Sequence, residues 1–214
     1  EQVFRVLLFC LKSYLEQPDN AACASHIRSS MKSLKYLFKF IIASHRCYAA
    51  NHEDDGSFTR DMDSLLNVIN DLMARTSPEW VIGAQILTLK NFSDIFDDLY
   101  EVYGNVQLSE IACRFVESIQ EDSSKLQLNI QKLGLMRKLV REDMLLHEES
   151  QKIVLPVIVA QARNHFYGTP EVVVPCVSVV GRLVQLLRST GVQTSDWVAD
   201  QLLPLLSDLF SVIE

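Results

Sequence analysis

Apolar residues return every three or four positions along almost the whole chain, as in Met62, Leu65, Leu66, Ile69, Leu72 and Met73, and again in Leu108, Ile111, Ala112, Phe115, Val116 and Ile119. That period is the turn of an α-helix, so each stretch carries one apolar face that must be covered. Sustained strand-type alternation is absent from the sequence, which argues against a sheet. Helix breakers fall at Pro18-Asp19-Asn20, Asn51 to Ser57, Ser77-Pro78, Gly104-Asn105, Glu121 to Ser124, Gly168-Thr169-Pro170 and Gly191 to Ser195. Between them the pattern predicts about nine helices, at 2–16, 20–49, 57–75, 79–102, 106–120, 124–146, 148–166, 170–189 and 195–213. The short connections imply antiparallel neighbours. Two of the helices hold a proline inside an apolar run, Ile153-Val154-Leu155-Pro156-Val157-Ile158 and Leu202-Leu203-Pro204-Leu205-Leu206, 48 positions apart. A HEAT or armadillo unit repeats at about 40–47 residues. The expected fold is therefore all-α, an armadillo/HEAT-like helical-repeat solenoid in which helix pairs bury their faces on neighbouring pairs. We expect it to run as one segment over residues 1–214.

Composition narrows the function classes. With 214 residues, 48% of them apolar, the chain has ample material for a core. The longest uncharged apolar runs, Ile153 to Ala162 and Val172 to Gly181, are ten residues each, half of what a bilayer span needs, so no transmembrane segment is expected. The chain opens in mid-pattern at Val3-Phe4-Arg5-Val6-Leu7-Leu8-Phe9 and closes on Leu209-Phe210-Ser211-Val212-Ile213, which reads as a piece of a longer polypeptide. Cys10, Cys23, Cys47, Cys113 and Cys176 are scattered and odd in number, as expected of buried thiols in a reducing cytosol. The sequon Asn91-Phe92-Ser93 lies within a helical pattern and is expected to be unused. Residues 1–50 carry seven Lys+Arg against three Asp+Glu, and residues 51–214 thirteen against twenty-four. An acidic body repels phosphate, which argues against nucleic acid as a partner. One basic end remains that could meet an acidic protein or an anionic lipid surface.

Several stretches approach known site patterns and then fail them. Asn51, Glu53, Asp55 and Gly56 fall at positions 1, 3, 5 and 6 of a calcium loop, but Met62 occupies the place of the bidentate Glu. In His147-Glu148-Glu149-Ser150-Gln151, Gln151 stands where a second zinc-binding His must lie one turn away. Cys23 with His26 and His45 with Cys47 sit near opposite ends of one helix, on the order of 30 Å apart at 1.5 Å per residue. Phosphate-binding glycine loops and nucleophile elbows are absent from the sequence. Asp94, Asp97, Asp98 and Glu101 cluster over two turns and read as a solvated face. No metal, no cofactor and no catalytic constellation is expected.

One stretch stands apart. Arg28, Lys32, Lys35, Lys39 and Arg46 are spaced 4, 3, 4 and 7 residues with no acid among them, which places five cations on one stripe of a single helix. Tyr36 and Phe40 lie one turn apart on its flank, a combination suited to anchoring a partner. Ile27, Met31, Leu34, Leu37, Phe38 and Ile41 occupy the opposite side and should form core. The candidate partner-binding residues are therefore Arg28, Lys32, Lys35, Tyr36, Lys39, Phe40 and Arg46; the alternative reading is a solvated face that keeps the chain soluble, with Tyr36 and Phe40 packed on a neighbouring repeat.

The octapeptide Leu34-Lys35-Tyr36-Leu37-Phe38-Lys39-Phe40-Ile41, followed by Ser44, Arg46 and Tyr48, resembles a helix of the dedicator-of-cytokinesis (DOCK) family, in the helical region after its lipid-binding C2-like domain. Leu108 to Ile119 and Ile153-Val154-Leu155-Pro156 are similar to that region, whereas Asn51 to Arg60 matches nothing in it. The resemblance implies a segment of a guanine-nucleotide exchange factor, of the group directed at Rac-type small GTPases. It implies an armadillo-like, non-catalytic spacer between the membrane-binding module and the exchange domain. In the family, exchange belongs to a separate C-terminal region that inserts a hydrophobic residue toward the bound magnesium and nucleotide, and nothing in this chain is similar to it. Implied partners are a small GTPase or a regulatory adaptor on the basic stripe and the other domains of the parent chain. The parent is implied to be cytoplasmic, with peripheral recruitment to the plasma membrane. From the residues alone, a HEAT-type protein-binding adaptor unrelated to GTPase exchange is the alternative.

Overall fold

The structure, a computed structural model, describes residues 2–17, 21–53, 56–120, 122, 124–189 and 196–213. The expected breaks at Pro18-Asp19-Asn20 and Gly191 to Ser195, together with Asp55, Glu121 and Ser123, lie outside the described residues. Ten helices are present among them: α1 Val3–Leu15, α2 Ala21–Ala49, α3 Ser57–Ala74, α4 Trp80–Leu99, α5 Asn105–Ser118, α6 Leu126–Leu139, α7 Glu142–Leu146, α8 Glu148–His165, α9 Pro170–Ser189 and α10 Asp196–Ile213. The fold is all-α, as the apolar period requires. The chain divides into two compact units, residues 1–103 with 118–120, and residues 104–117 with 121–214.

In the first unit, α1 and α2 form an antiparallel hairpin. Gln2 Nε2 donates to Tyr48 Oη at 2.9 Å at one end, and the Tyr14 ring meets His26 at 6.1 Å at the other. α3 and α4 form the next hairpin, with Tyr103 Oη donating to Asp63 Oδ1 at 2.7 Å. The two hairpins stack helix on corresponding helix. Phe4 of α1 lies 5.5 Å from Phe58 at the start of α3, while Asn91 of α4 donates to the Met31 carbonyl of α2 at 2.9 Å. Such parallel stacking of like helices is the packing of a helical repeat, because it lets each hairpin cover the face its neighbour leaves open. Ile27, Met31, Leu34, Phe38 and Ile41 are fully buried, as their spacing predicts, and Leu37 is half-buried.

The turn between α3 and α4 shows how a helix end is satisfied. The last carbonyls of α3 have no intrahelical donor. Buried Gln85 of α4 fills that need: its Nε2 lies 3.1, 3.0 and 2.8 Å from the carbonyls of Leu72, Met73 and Arg75. At the other end of α3, Gly56 takes φ +68°, a left-handed conformation that glycine adopts without steric cost.

In the second unit, α8 and α9 form a hairpin, α6 packs on α9, and α8 packs on α10. Arg163 Nε of α8 donates to Asp208 Oδ2 of α10 at 2.6 Å. Pro156 and Pro204 each stand eight residues past the first residue of their helices, Glu148 and Asp196. The internal signature read from the sequence thus falls at equivalent positions of two helices that pack together.

The expected single helix 124–146 is two. Val140 and Arg141 are extended (ψ 94° and 157°) and separate α6 from α7. Two local features favour the break. Arg137 and Lys138 close α6 while Glu142 and Asp143 open α7, so each charge sign faces the helix-dipole end that attracts it. The break also allows Val140, Met144 and Leu145 all to be buried. Gln151 of α8 then donates to the carbonyl of Leu145. α9, 20 residues long with mean hydropathy 1.5, is one helix long and apolar enough by length and composition to cross a membrane. The count of uncharged runs missed it because Arg182 interrupts the helix, and its Cys176, Val179 and Leu183 are core residues of this unit.

Candidate interaction surface

The cations of α2 do stand in one line, and the line runs beside α4. Lys35 Nζ lies 3.0 Å from Asp94 Oδ2 and Arg46 Nη1 3.1 Å from Glu101 Oε2. Lys39 faces Asp98. The guanidinium of Arg28 lies over Gly83 of α4, filling the space a Cβ there would need. The acidic face Asp94, Asp97, Asp98 and Glu101 and the basic stripe are therefore complementary halves of one α2/α4 surface. Sequence separates them by about sixty residues, and only the parallel stacking of the hairpins brings them together.

The electrostatics follow from this arrangement. The hydrogen bond and charge of Asp94 raise the Lys35 pKa above its ordinary value, favouring the ammonium. Asp98 shifts the other way from a paired carboxylate: partial burial raises its pKa, Lys39 opposes the rise, and Glu101, Asp97 and Asp94 add to it.

Tyr36 and Phe40 are 66% and 56% exposed, side by side one turn apart, with exposed Lys32 and Lys39 around them. Lys35 Nζ also lies 5.3 Å from the centre of the Tyr36 ring. Of the seven candidate residues, Lys32, Tyr36, Lys39 and Phe40 form a compact exposed patch. Lys35 and Arg46 are tied to α4, and Arg28 lies toward the amino-terminal end of the row.

The failed site patterns have structural roles. Met62 is fully buried in the core of the first unit. His45 stacks on Phe58 at 3.7 Å and meets Phe4 edge-on at 5.2 Å, while His26 sits by Tyr14 at the far end of α2. Asn91, the sequon residue, is half-buried and its Nδ2 donates to the carbonyls of Met31 and Leu87. No group of three or more His, Cys, Asp or Glu side chains among the described residues is placed to hold a metal ion.

One feature escaped the sequence reading. Although residues 51–214 are acidic as a whole, residues 123–141 contain Lys125, Lys132, Arg137, Lys138 and Arg141 and no acid. Halving the chain by charge hid it, whereas a window the length of a helix reveals it.

Hairpins stacked with like helices in parallel, and a charge-matched outer face, define a helical-repeat segment. Comparison with known proteins places it. The model of the DOCK TPR region matches residues 2–213, and the chain belongs to the dedicator-of-cytokinesis family. It is 24% identical over 196 residues to Dedicator of cytokinesis protein 3 of Homo sapiens and of Mus musculus, covering 89% of this chain and 10% of those proteins. It is 20% identical over 200 residues to Dedicator of cytokinesis protein 4 of Mus musculus, covering 90% and 10% respectively. The chain thus spans about a tenth of the length of the curated relatives it matches. Family membership bears out the resemblance carried by Leu34 to Ile41 and favours that reading over an unrelated adaptor.

Proposed function

We propose that this segment is a non-catalytic helical scaffold of a Rac-type guanine-nucleotide exchange factor. It holds a membrane-binding module and a separate exchange domain at a set spacing, and residues 1–214 act together in that role. The observation that carries the reading is the family match across residues 2–213. The parent protein is cytoplasmic and reaches the plasma membrane through its other domains. In this reading Lys32, Tyr36, Lys39 and Phe40 dock a regulatory protein or a small GTPase, with Arg28, Lys35 and Arg46 completing the row. Two exposed aromatic rings among cations support it, since such groups bury large area with few rotamers lost.

Two experiments test the proposal. The 214-residue chain added to Rac loaded with a fluorescent nucleotide should release none of it above the buffer rate; robust release would overturn the non-catalytic assignment. A pull-down from cytosol should lose a small GTPase or one of its regulators when Lys32→Glu, Lys39→Glu and Tyr36→Ala are combined. Equal recovery by both folded chains would remove the docking role.

A further inference from the structure

The second unit carries an open groove of its own, about 700 Å³ in volume, between the parallel helices α6 and α9. Ile130 and Leu133 of α6 and Val174 and Pro175 of α9 line its apolar part, and Arg137, Lys138 and Arg182 stand toward its other end. Three properties set it apart from an ordinary gap between helices.

The first is charge. Arg137 and Arg182 have no ion-pair partner among the described residues, in contrast to Lys35 and Arg46 of the first unit. Among the described residues Glu171 is the only acid lining the groove, and it is engaged by its own backbone N–H and the Thr169 hydroxyl, which hold its carboxyl below the usual range. The groove is therefore cationic at one end within a chain of net charge −7.

The second is the floor. Gly134 lies inside α6, where glycine costs about 1 kcal/mol relative to alanine. A Cβ on Gly134 would meet no atom within 4 Å, so no packing contact within the fold requires the glycine. Its effect is to keep the groove wide. The third is exposure: Val174 is 69% exposed at the groove edge, an apolar side chain with no cover.

We propose that the α6/α9 groove binds a short acidic peptide segment of a partner protein, with an apolar residue seated by Ile130, Val174 and Pro175 and its carboxylates paired with Arg137 and Arg182. Glu171 and Arg182 are eleven positions apart on α9, roughly 16 Å of helix, which is the length of about five extended residues. The concave lining between two helices favours a peptide over a membrane surface, which would meet a protruding face. This site is separate from the α2 patch and does not depend on the docking role assigned there.

The test uses the 214-residue chain and a fluorescein-labelled heptapeptide with three leucines at one end and three glutamates at the other, made in both chain directions. Fluorescence anisotropy should show saturable binding with a Kd on the order of 10–100 µM. Arg137→Gln with Arg182→Gln should weaken it at least tenfold, and Gly134→Leu, which has room to fold, should weaken it as much by filling the floor. Lys32→Glu with Lys39→Glu should leave it unchanged. Circular dichroism establishes that each variant is helical before binding is scored. No saturable binding by either peptide, or binding indifferent to both groove variants, would overturn the proposal. So would arginine-dependent capture of phosphatidylserine vesicles without peptide binding.

Discussion

Among single residues, the cysteines give the sharpest expectation. Cys10 and Cys47 are exposed, against the expectation of buried thiols, because each falls on the solvent side of its helix. Cys113 and Cys176 are buried, and burial pushes both thiols up to about 12, with Glu117 adding to the rise at Cys113. Thiolate is the reactive form. Brief alkylation with iodoacetamide at pH 8 should therefore modify Cys10 and Cys47 and leave Cys113 and Cys176 intact until the chain is denatured, as read by peptide mass spectrometry. Lys132 shows what a residue's type conceals: an amphipathic reading places a lysine in water, yet this one is fully buried in the second unit. Nothing in its sequence neighbourhood marks it, because burial of a polar residue depends on which helix lies opposite.

At the scale of elements, nearly every helix was legible, since an apolar stripe at helical spacing forces both the helix and its buried side. Met31, Leu34 and Phe38 of α2 were placed correctly for that reason. The α6/α7 break was missed because the apolar period runs through it, although the switch from Arg137-Lys138 to Glu142-Asp143 was visible. The Gln85 clamp was not legible at all, because its carbonyl partners belong to the preceding helix. Its importance is measurable. Gln85→Ala should cost about 1–3 kcal/mol by removing the donor to the Met73 and Arg75 carbonyls, and Gln85→Glu more, since a carboxylate repels them; urea unfolding midpoints check the order. Asp98 gives a pH dependence. Its folded pKa is raised, so its ionised form opposes folding at neutral pH, and that opposition fades as the pH falls through the folded pKa. Asp98→Asn should raise the melting temperature at pH 7 by roughly 1–2 °C and abolish this group's gain on acidification to the ordinary aspartate value of 3.8. Melting curves at the two pH values decide it.

For the whole molecule, what holds the fold is apolar burial rather than charge. The pairs Lys35–Asp94 and Arg46–Glu101 are open to solvent, where such pairs contribute little. Raising sodium chloride from about 0.05 to 0.5 M screens them and should move the melting temperature by less than roughly 2 °C. A larger fall would mean that the α2/α4 rungs support the stack. The class of the fold and the α2 patch could be read from the sequence, but the pairing of the basic stripe with the acidic one could not, because it depends on two hairpins stacking in parallel.

That pairing has a consequence for sequence divergence. Each rung is local to two exposed side chains, so its polarity can reverse at no cost when both ends change together. Among homologues as distant as those sharing about a fifth of their residues, positions 35 and 94, and likewise 46 and 101, should drift as opposite-signed couples, whereas Gly83 and Arg28, linked by shape, should change size in concert.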